Sequence, residues 1–182
     1  MENNTILKSK ELLDTIREKM NNELDSLTLY TEFCTNQDLG IFDNIESFEN
    51  GYNVKPIKVI KGINIYHMPT LMVAVTAEVA ITLHLFDDSV IIIVDDIFSD
   101  MFNNKEKWAV ICHEIGHIVD GNNTTDERKK EFIADKYAAE CVNTSSIISA
   151  ISKIRDILEY LYGNSSNLLL LDERIEKIKN SR

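Results

Sequence analysis

The sequence has few cysteines, few basic residues and no long apolar run, and each shortage excludes a class of protein. The three cysteines are odd in number and form no Cys-x-x-Cys pair, which disfavours a disulfide framework and favours a reducing compartment. Lysine and arginine number 19 against 30 acidic residues, and the resulting net charge of -11 disfavours nucleic acid and anionic membranes as partners. No apolar segment is long enough to span a bilayer, and the N-terminus lacks the pattern of a signal peptide. We therefore expect a soluble cytoplasmic protein, with its oligomeric state left open.

Internal repeats and proline- or glycine-rich linkers are also absent, so residues 1–182 are expected to form a single α+β domain. Three regions differ in their residue pattern. A helical region over residues 1–50, with amphipathic helical spacing at 5–28, precedes a sheet over 54–98. A largely helical part follows over residues 103–182.

Two β-hairpins are predicted after a loop that covers residues 33–53. A Lys-Gly pair directly after the β-branched segment 57–60 indicates the first hairpin. Segment 79–85 alternates in part and precedes a turn signal and a β-branched run at 90–94, which indicates the second. A helix over residues 72–85 is the competing interpretation.

Capping patterns predict where the later helices begin. Asn103 followed by Glu106 resembles a capping box, and the apolar residues after it predict a long helix. Thr124 with Glu127 predicts the start of the next helix. Two more helices are predicted after that, the last one over about residues 169–179.

The first of these helices carries the segment His-Glu-Ile-Gly-His at residues 113–117. Residues four apart lie about 40° from each other around a helix, so His113 and His117 project from one face. Two rigidly spaced neutral imidazoles suit Zn²⁺, and one zinc ion per chain is expected. Glu114, beside the first histidine, is placed to act as general base toward a metal-bound water without being a ligand itself.

A catalytic zinc needs a third protein ligand, and Glu131 is the best candidate. It lies fourteen residues past His117 on a separate predicted helix. The alternative is an ordinary solvated helix charge, and Asp120 and Asp126 are weaker rivals for the ligand position. Asp135 lies one turn after Glu131 and could accept the free ring N–H of a ligand histidine, which would fix the orientation of that ring.

The combination of His113-Glu114-x-x-His117 with Glu131-x-x-Ala134-Asp135 resembles the gluzincin zinc metallopeptidases, particularly the HtpX-like family and its small minigluzincin relatives. Residues Asp172-Glu173-Arg174-Ile175 are similar to the Glu-Arg-Ile segment that often closes an HtpX-like domain. The Thr-His-Pro that commonly precedes this segment is replaced by three leucines at residues 169–171. Arg174 is therefore interpreted as a helix-surface residue. The membrane helices of the HtpX-like family are missing, so its role in membrane quality control is not expected here.

The ImmA/IrrE-type metallopeptidases are the near alternative. In that family a Val-Ile-rich strand precedes the same motif helix in a small protein, as residues 90–94 precede it here. That family generally has asparagine where this chain has Asp135, which favours the HtpX-like resemblance.

The resemblance implies a small zincin-like α+β domain with a short, mostly antiparallel sheet. One helix would carry the His pair, a second helix the Glu ligand, and further helices would lie at both ends of the chain. The last strand before the motif helix would bind an extended peptide substrate by strand addition. In this chain the corresponding residues are Val90, Ile91, Ile92, Ile93 and Val94.

A zinc peptidase also needs a donor that stabilises the oxyanion. His67, Tyr66, Tyr137 and Arg174 have suitable side chains, and His67 is the preferred catalytic residue beside Glu114.

These observations predict a zinc metalloendopeptidase that hydrolyses peptide or protein substrates. One alternative is an ImmA-like regulatory protease that cuts a single protein target. A different alternative is a catalytically silent, zinc-containing binding module or inhibitor. An intact Glu114 disfavours this last interpretation, because a purely structural site has no use for a base beside its ligands.

Overall fold

The computed structural model describes residues 42–68, 79–95, 98–120, 124–163 and 166–181. These ranges contain a four-stranded sheet and six helices, which confirms the α+β class. The strands are β1 Lys58–Ile60, β2 Ile63–Met68, β3 Ala80–His84 and β4 Val90–Asp95. The helices are α1 Ile45–Tyr52, α2 Phe98–Met101, α3 Asn104–Asp120, α4 Glu127–Cys141, α5 Thr144–Tyr162 and α6 Ser166–Asn180. The helix predicted over residues 5–28 lies outside the described residues.

Both predicted hairpins are present. β1 and β2 pair antiparallel around Lys61 and Gly62, whose φ angles of 49° and 85° are those of a tight type I′ turn. β3 and β4 also pair antiparallel, so the helix proposed as the alternative is wrong for residues 80–84. The sheet order is β1-β2-β4-β3, with β2 and β4 parallel. The mixed sheet is therefore mostly antiparallel, as expected, and β4 lies inside it.

Helices cover both faces of this sheet. Ile65, Ala80, Ile92 and Val94 pack against residues of α3 and α5 on one face. On the other face, Phe48 of α1 is fully buried against the apolar side chains of β2, β3 and β4. Burial on both faces explains why β4 is a continuous apolar run rather than an alternating one.

The α1 helix corrects the prediction of a loop over residues 33–53. Asn44 accepts a hydrogen bond from the Ser47 N–H, and the Ser47 hydroxyl oxygen accepts from the Asn44 N–H, which together form a capping box. The helix ends at Asn53, which has a φ of 53°. A helix of eight residues with a single buried side chain leaves almost no periodic signal in the sequence.

The capping prediction is confirmed for α3 and wrong for α4. The Asn103 N–H donates to Glu106 Oε2 at 2.8 Å, and Asn103 Oδ1 accepts from the Glu106 N–H at 3.1 Å. α4 begins one residue after Asp126, which accepts from the Lys129 N–H. Thr124 instead accepts from the Asp126 N–H and so shapes the turn before the helix.

α5 and α6 complete the helical layer and pack with α3 and α4 around a third apolar cluster. Gly163 caps the C-terminus of α5, a position at which glycine is common. None of the helices in the described ranges combines the length and the apolar character needed to cross a membrane.

Candidate metal centre

The α3 helix presents two histidines toward α4. His113 is buried and His117 half-buried, and their Nε2 atoms lie 3.1 Å apart. The spacing follows directly from the helix, because residues four apart occupy one face one turn apart. The two ring nitrogens can therefore approach the same ion.

A close approach of α3 and α4 brings the third predicted ligand to this pair. A Cβ atom at Gly116 would lie 2.8 Å from the Cα of Ala134 and 3.1 Å from the Cβ of Tyr137. Real Cβ atoms do not come that close to a backbone atom, so glycine is what permits this separation of the helices. Glu131, one turn before Ala134, is thereby held over the two histidines.

The three side chains form a compact donor cluster. Glu131 Oε2 lies 3.4 Å from His113 Nε2, and Glu131 Oε1 lies 3.4 Å from His117 Nε2. Ligand atoms bound at about 2.0 Å to one tetrahedral ion lie about 3.3 Å from each other. The cluster of two imidazoles and one carboxylate can therefore hold a metal ion, and these three residues form a group of metal-ligand type within the described ranges.

Asp135 lies behind His113, on the side away from Glu131. Its Oδ1 is 2.9 Å from His113 Nδ1, which is the contact that the spacing of Glu131 and Asp135 predicts. A carboxylate at this distance favours a proton on Nδ1, so Nε2, which faces Glu131, is the nitrogen that would bind an ion. Of the rival ligands, Asp126 caps α4, and the side chain of Asp120 lies outside the described part.

Arg174 of α6 is the residue that the sequence interpretation misplaced. Its Nη2 and Nε donate to the two oxygens of Asp135 at 2.7 and 2.8 Å, and its Nη1 lies 2.7 Å from Glu131 Oε2. Only 12% of the side chain is exposed, so Arg174 is not a helix-surface residue. The buried carboxylate of Asp135 and the half-buried one of Glu131 need a counter-charge. The guanidinium supplies it, in bidentate geometry toward Asp135.

A signal for this position exists in the sequence. Arg174 lies three residues after Leu171 and four before Ile178, both of which are buried on α6. It therefore belongs to the apolar stripe of that helix, where a charged residue has to find a buried partner.

The charges of the cluster are strongly coupled. Burial alone would lower the pKa of His113, but its contacts with Asp135 and Glu131 outweigh burial and raise this pKa to about 10. Burial would raise the pKa of Glu131, yet Arg174 and the two histidines hold it well below its usual value. The pKa of Asp135 is also lowered, against its burial, by Arg174 and His113. The carboxylates are therefore ionised, as ligands and their partners must be.

Glu114 lies beside the donor cluster but outside it. Its side chain is 6% exposed, and burial raises its pKa despite the nearby histidines. The hydroxyl of Thr82 on β3 donates to Glu114 Oε2 at 2.9 Å. The sequence does not identify Thr82 as a site residue, because a threonine in a predicted strand is an ordinary β-forming residue.

The order of the strands gives the position of His67 in the sheet. His67 lies on β2 and pairs with Val94 of β4, which separates it from β3, the strand whose Thr82 contacts Glu114. Two strand spacings amount to about 10 Å, and the catalytic assignment of His67 stays a prediction. Tyr66 is turned to the other face, where its hydroxyl donates to Glu49. Of the donors considered, Arg174 lies at the cluster, and the Cβ of Tyr137 is near Gly116.

The predicted substrate-binding strand, residues Val90 to Val94, also requires correction. β4 pairs with β2 on one side and β3 on the other, so both of its edges are occupied. Within the described residues β3 is the outer strand at this end of the sheet, and α3 packs against it. The order of strands along the chain is not their order in the sheet, so the strand next to the motif helix in sequence is not the edge strand.

Comparison of the chain with protein-family profiles, with curated proteins and with solved structures gives no match. The geometry of the cluster and the residues around it are therefore the observations that bear on function.

Proposed function

We propose that this chain is a zinc-dependent metallopeptidase that hydrolyses peptide bonds. One observation carries the proposal: a buried carboxylate that is not a ligand, Glu114, lies directly beside a His-His-Glu donor cluster. A site that only held metal for structural reasons would use a fourth protein ligand and would have no need of such a carboxylate.

Zinc is the metal that best fits two imidazoles and one carboxylate, and His113, His117 and Glu131 would hold it. When bound, it would polarise the scissile carbonyl and lower the pKa of the attacking water. Asp135 keeps the proton of His113 on Nδ1, so that Nε2 stays free to bind the ion. Arg174 neutralises the carboxylates of Glu131 and Asp135 and fixes their orientation.

Glu114 moves the protons of the reaction. Its carboxylate takes one proton from the water as the water oxygen forms a bond with the carbonyl carbon. The same carboxyl group then delivers the proton to the leaving nitrogen as the C–N bond breaks, so that Glu114 returns to its starting state. The raised pKa of this buried side chain supports both halves of the role.

The substrate is expected to be an extended peptide that adds to the edge of β3. Strand addition supplies main-chain hydrogen bonds irrespective of the side chains. Thr82, which contacts Glu114, lies in the middle of this strand, so a peptide along β3 would pass the base.

The proposal is tested by incubating the zinc-loaded protein and Glu114→Gln with a diverse peptide mixture and reading the cuts by mass spectrometry. Glu140→Gln, an exposed position on α4, is the matched control. We expect the wild type and the control to cleave and Glu114→Gln to be inert while it still binds one zinc ion. If wild type and Glu114→Gln each hold one zinc ion and neither cleaves, the general peptidase is wrong. The regulatory protease with one target or the binding module then takes its place.

A further inference from the structure

Thr82 on β3 reaches across to the motif helix. Its Oγ1 lies 2.9 Å from Oε2 of Glu114 and 3.2 Å from the main-chain oxygen of the same residue, which is 32 positions further along the chain. A hydroxyl has one proton to donate, so it serves one of these two acceptors at a time. Both contacts join β3 to the residue that stands between the two histidines.

Thr82 is half-buried on a face of the sheet that is otherwise apolar. Ile92 is its partner in the register with β4, and both Ile92 and the neighbouring Ala80 belong to the apolar cluster on the α3 face of the sheet. Valine has the same shape as threonine and would satisfy that face without a polar group to be hydrogen-bonded. The hydrogen-bond partner of the Thr82 hydroxyl is the carboxylate of Glu114.

We infer that Thr82 is a positioning residue for Glu114: its hydroxyl holds Oε2 and leaves Oε1 for the proton of the attacking water. This inference rests on the proposed peptidase function. A glutamate side chain has three rotatable bonds, and a base that can swing loses much of the benefit of proximity. Fixing one oxygen from a rigid strand restricts those rotations at the point where the proton is transferred.

The hydrogen-bonding chemistry of a hydroxyl suits this task. A hydroxyl both donates and accepts, so it can hold the carboxyl group before and after the proton moves.

The test compares Thr82→Val, which removes the hydroxyl at constant shape, with Thr82→Ser, which keeps it. The kcat and KM of a peptide found in the cleavage mixture are measured, together with zinc affinity by chelator competition. We expect Thr82→Val to lower kcat by about tenfold to a hundredfold with KM and zinc affinity within about twofold of wild type. Thr82→Ser should keep at least about half of the wild-type kcat.

A second readout does not depend on activity. Unfolding midpoints of the metal-free protein are compared for Thr82→Val in the wild-type background and in the Glu114→Ala background. A direct contact predicts that the shift caused by Thr82→Val shrinks clearly when Glu114 is absent.

The inference would be overturned by a wild-type kcat in Thr82→Val, by a Thr82→Ser variant as impaired as Thr82→Val, or by equal midpoint shifts in the two backgrounds. A parallel loss of zinc affinity in Thr82→Val would also overturn it, because the effect would then be on the fold of the site. An inert wild type contradicts the peptidase itself and the role of Thr82 with it. An active wild type with an active Thr82→Val contradicts only the role of Thr82.

Discussion

Arg174 Nη1 lies 2.7 Å from Glu131 Oε2, across the interface between α6 and α4. The same guanidinium holds both oxygens of Asp135, which in turn contacts His113. Two of the three candidate metal ligands are therefore oriented, directly or through one residue, by the last described helix. Helix α6 is therefore a part of the candidate metal centre.

Arg174→Lys is expected to weaken zinc binding by about tenfold to a hundredfold, because lysine cannot make the bidentate contact that orients Asp135 and Glu131. Zinc affinity is measured by competition with a chromophoric chelator. Arg128→Lys is the matched control, since Arg128 pairs with Glu173 across the same two helices but in the solvent. Equal affinities for Arg174→Lys and wild type would show that the guanidinium does not orient the ligands.

Gly116→Ala is expected to lower the free energy of unfolding by about 1–3 kcal/mol, because the new Cβ would meet the backbone of Ala134. The sign is opposite to that of an ordinary glycine-to-alanine change in a helix, which stabilises by about 0.5–1 kcal/mol. Urea unfolding of the metal-free protein gives the measurement. Adding Ala134→Gly is not expected to rescue the variant, since the closest atom is the Cα of Ala134. A variant more stable than wild type would disprove the close approach.

Removal of the metal should distinguish a proposed ligand, His117, from the proposed general base, Glu114. A chelator is expected to lower the unfolding temperature of the zinc-loaded wild type, because an ion at a hundred times its Kd stabilises the folded state by about 2.7 kcal/mol. Glu114→Gln should keep this shift in full, since Glu114 lies outside the donor cluster. His117→Ala should lose most of it. The assignment of roles fails if Glu114→Gln behaves as His117→Ala does.

Stability should depend on pH through Glu106, which is 3% exposed at the start of α3. Burial would raise its pKa, but Lys153 at 2.7 Å, the Ser149 hydroxyl and the Asn103 N–H hold the pKa below its usual value. A carboxyl whose pKa is lower in the folded state stabilises the protein above its unfolded pKa, about 4.3, and this contribution is lost as the pH falls through the folded value.

Glu106→Gln is therefore expected to lower the free energy of unfolding at pH 7 by about 1–3 kcal/mol. This difference between wild type and variant should become smaller below about pH 4. The measurement is urea unfolding of the metal-free protein at several pH values. Glu127→Gln is the control, because Glu127 pairs with Lys130 in the solvent and should change stability by less than about 0.5 kcal/mol. If the difference in unfolding free energy between wild type and Glu106→Gln does not change with pH, Glu106 and Lys153 do not form an ionised pair.

Local geometry explains why part of the site was predictable from the sequence. The helix itself places His113 and His117 on one face and Asp135 one turn after Glu131, whatever the rest of the chain does. The capping residues of α3 and both hairpins follow from interactions within a few residues as well. The short α1 is not predictable because eight residues with one buried side chain leave little periodic signal. The start of α4 is ambiguous because both Thr124 and Asp126 could serve as its cap.

The sequence by itself determined the His113–His117 pair on one helix face, the carboxylate of Glu114 beside it and the α+β class, because these follow from local spacing and residue patterns along the chain. Only the tertiary structure decided that β4 lies inside the sheet, that His67 lies two strands away from Thr82, and that Thr82 and Arg174 reach Glu114 and Glu131. These facts depend on which distant elements bury each other. No local sequence pattern predicts the strand order or the partner of a buried charge, since both follow from packing across the whole domain.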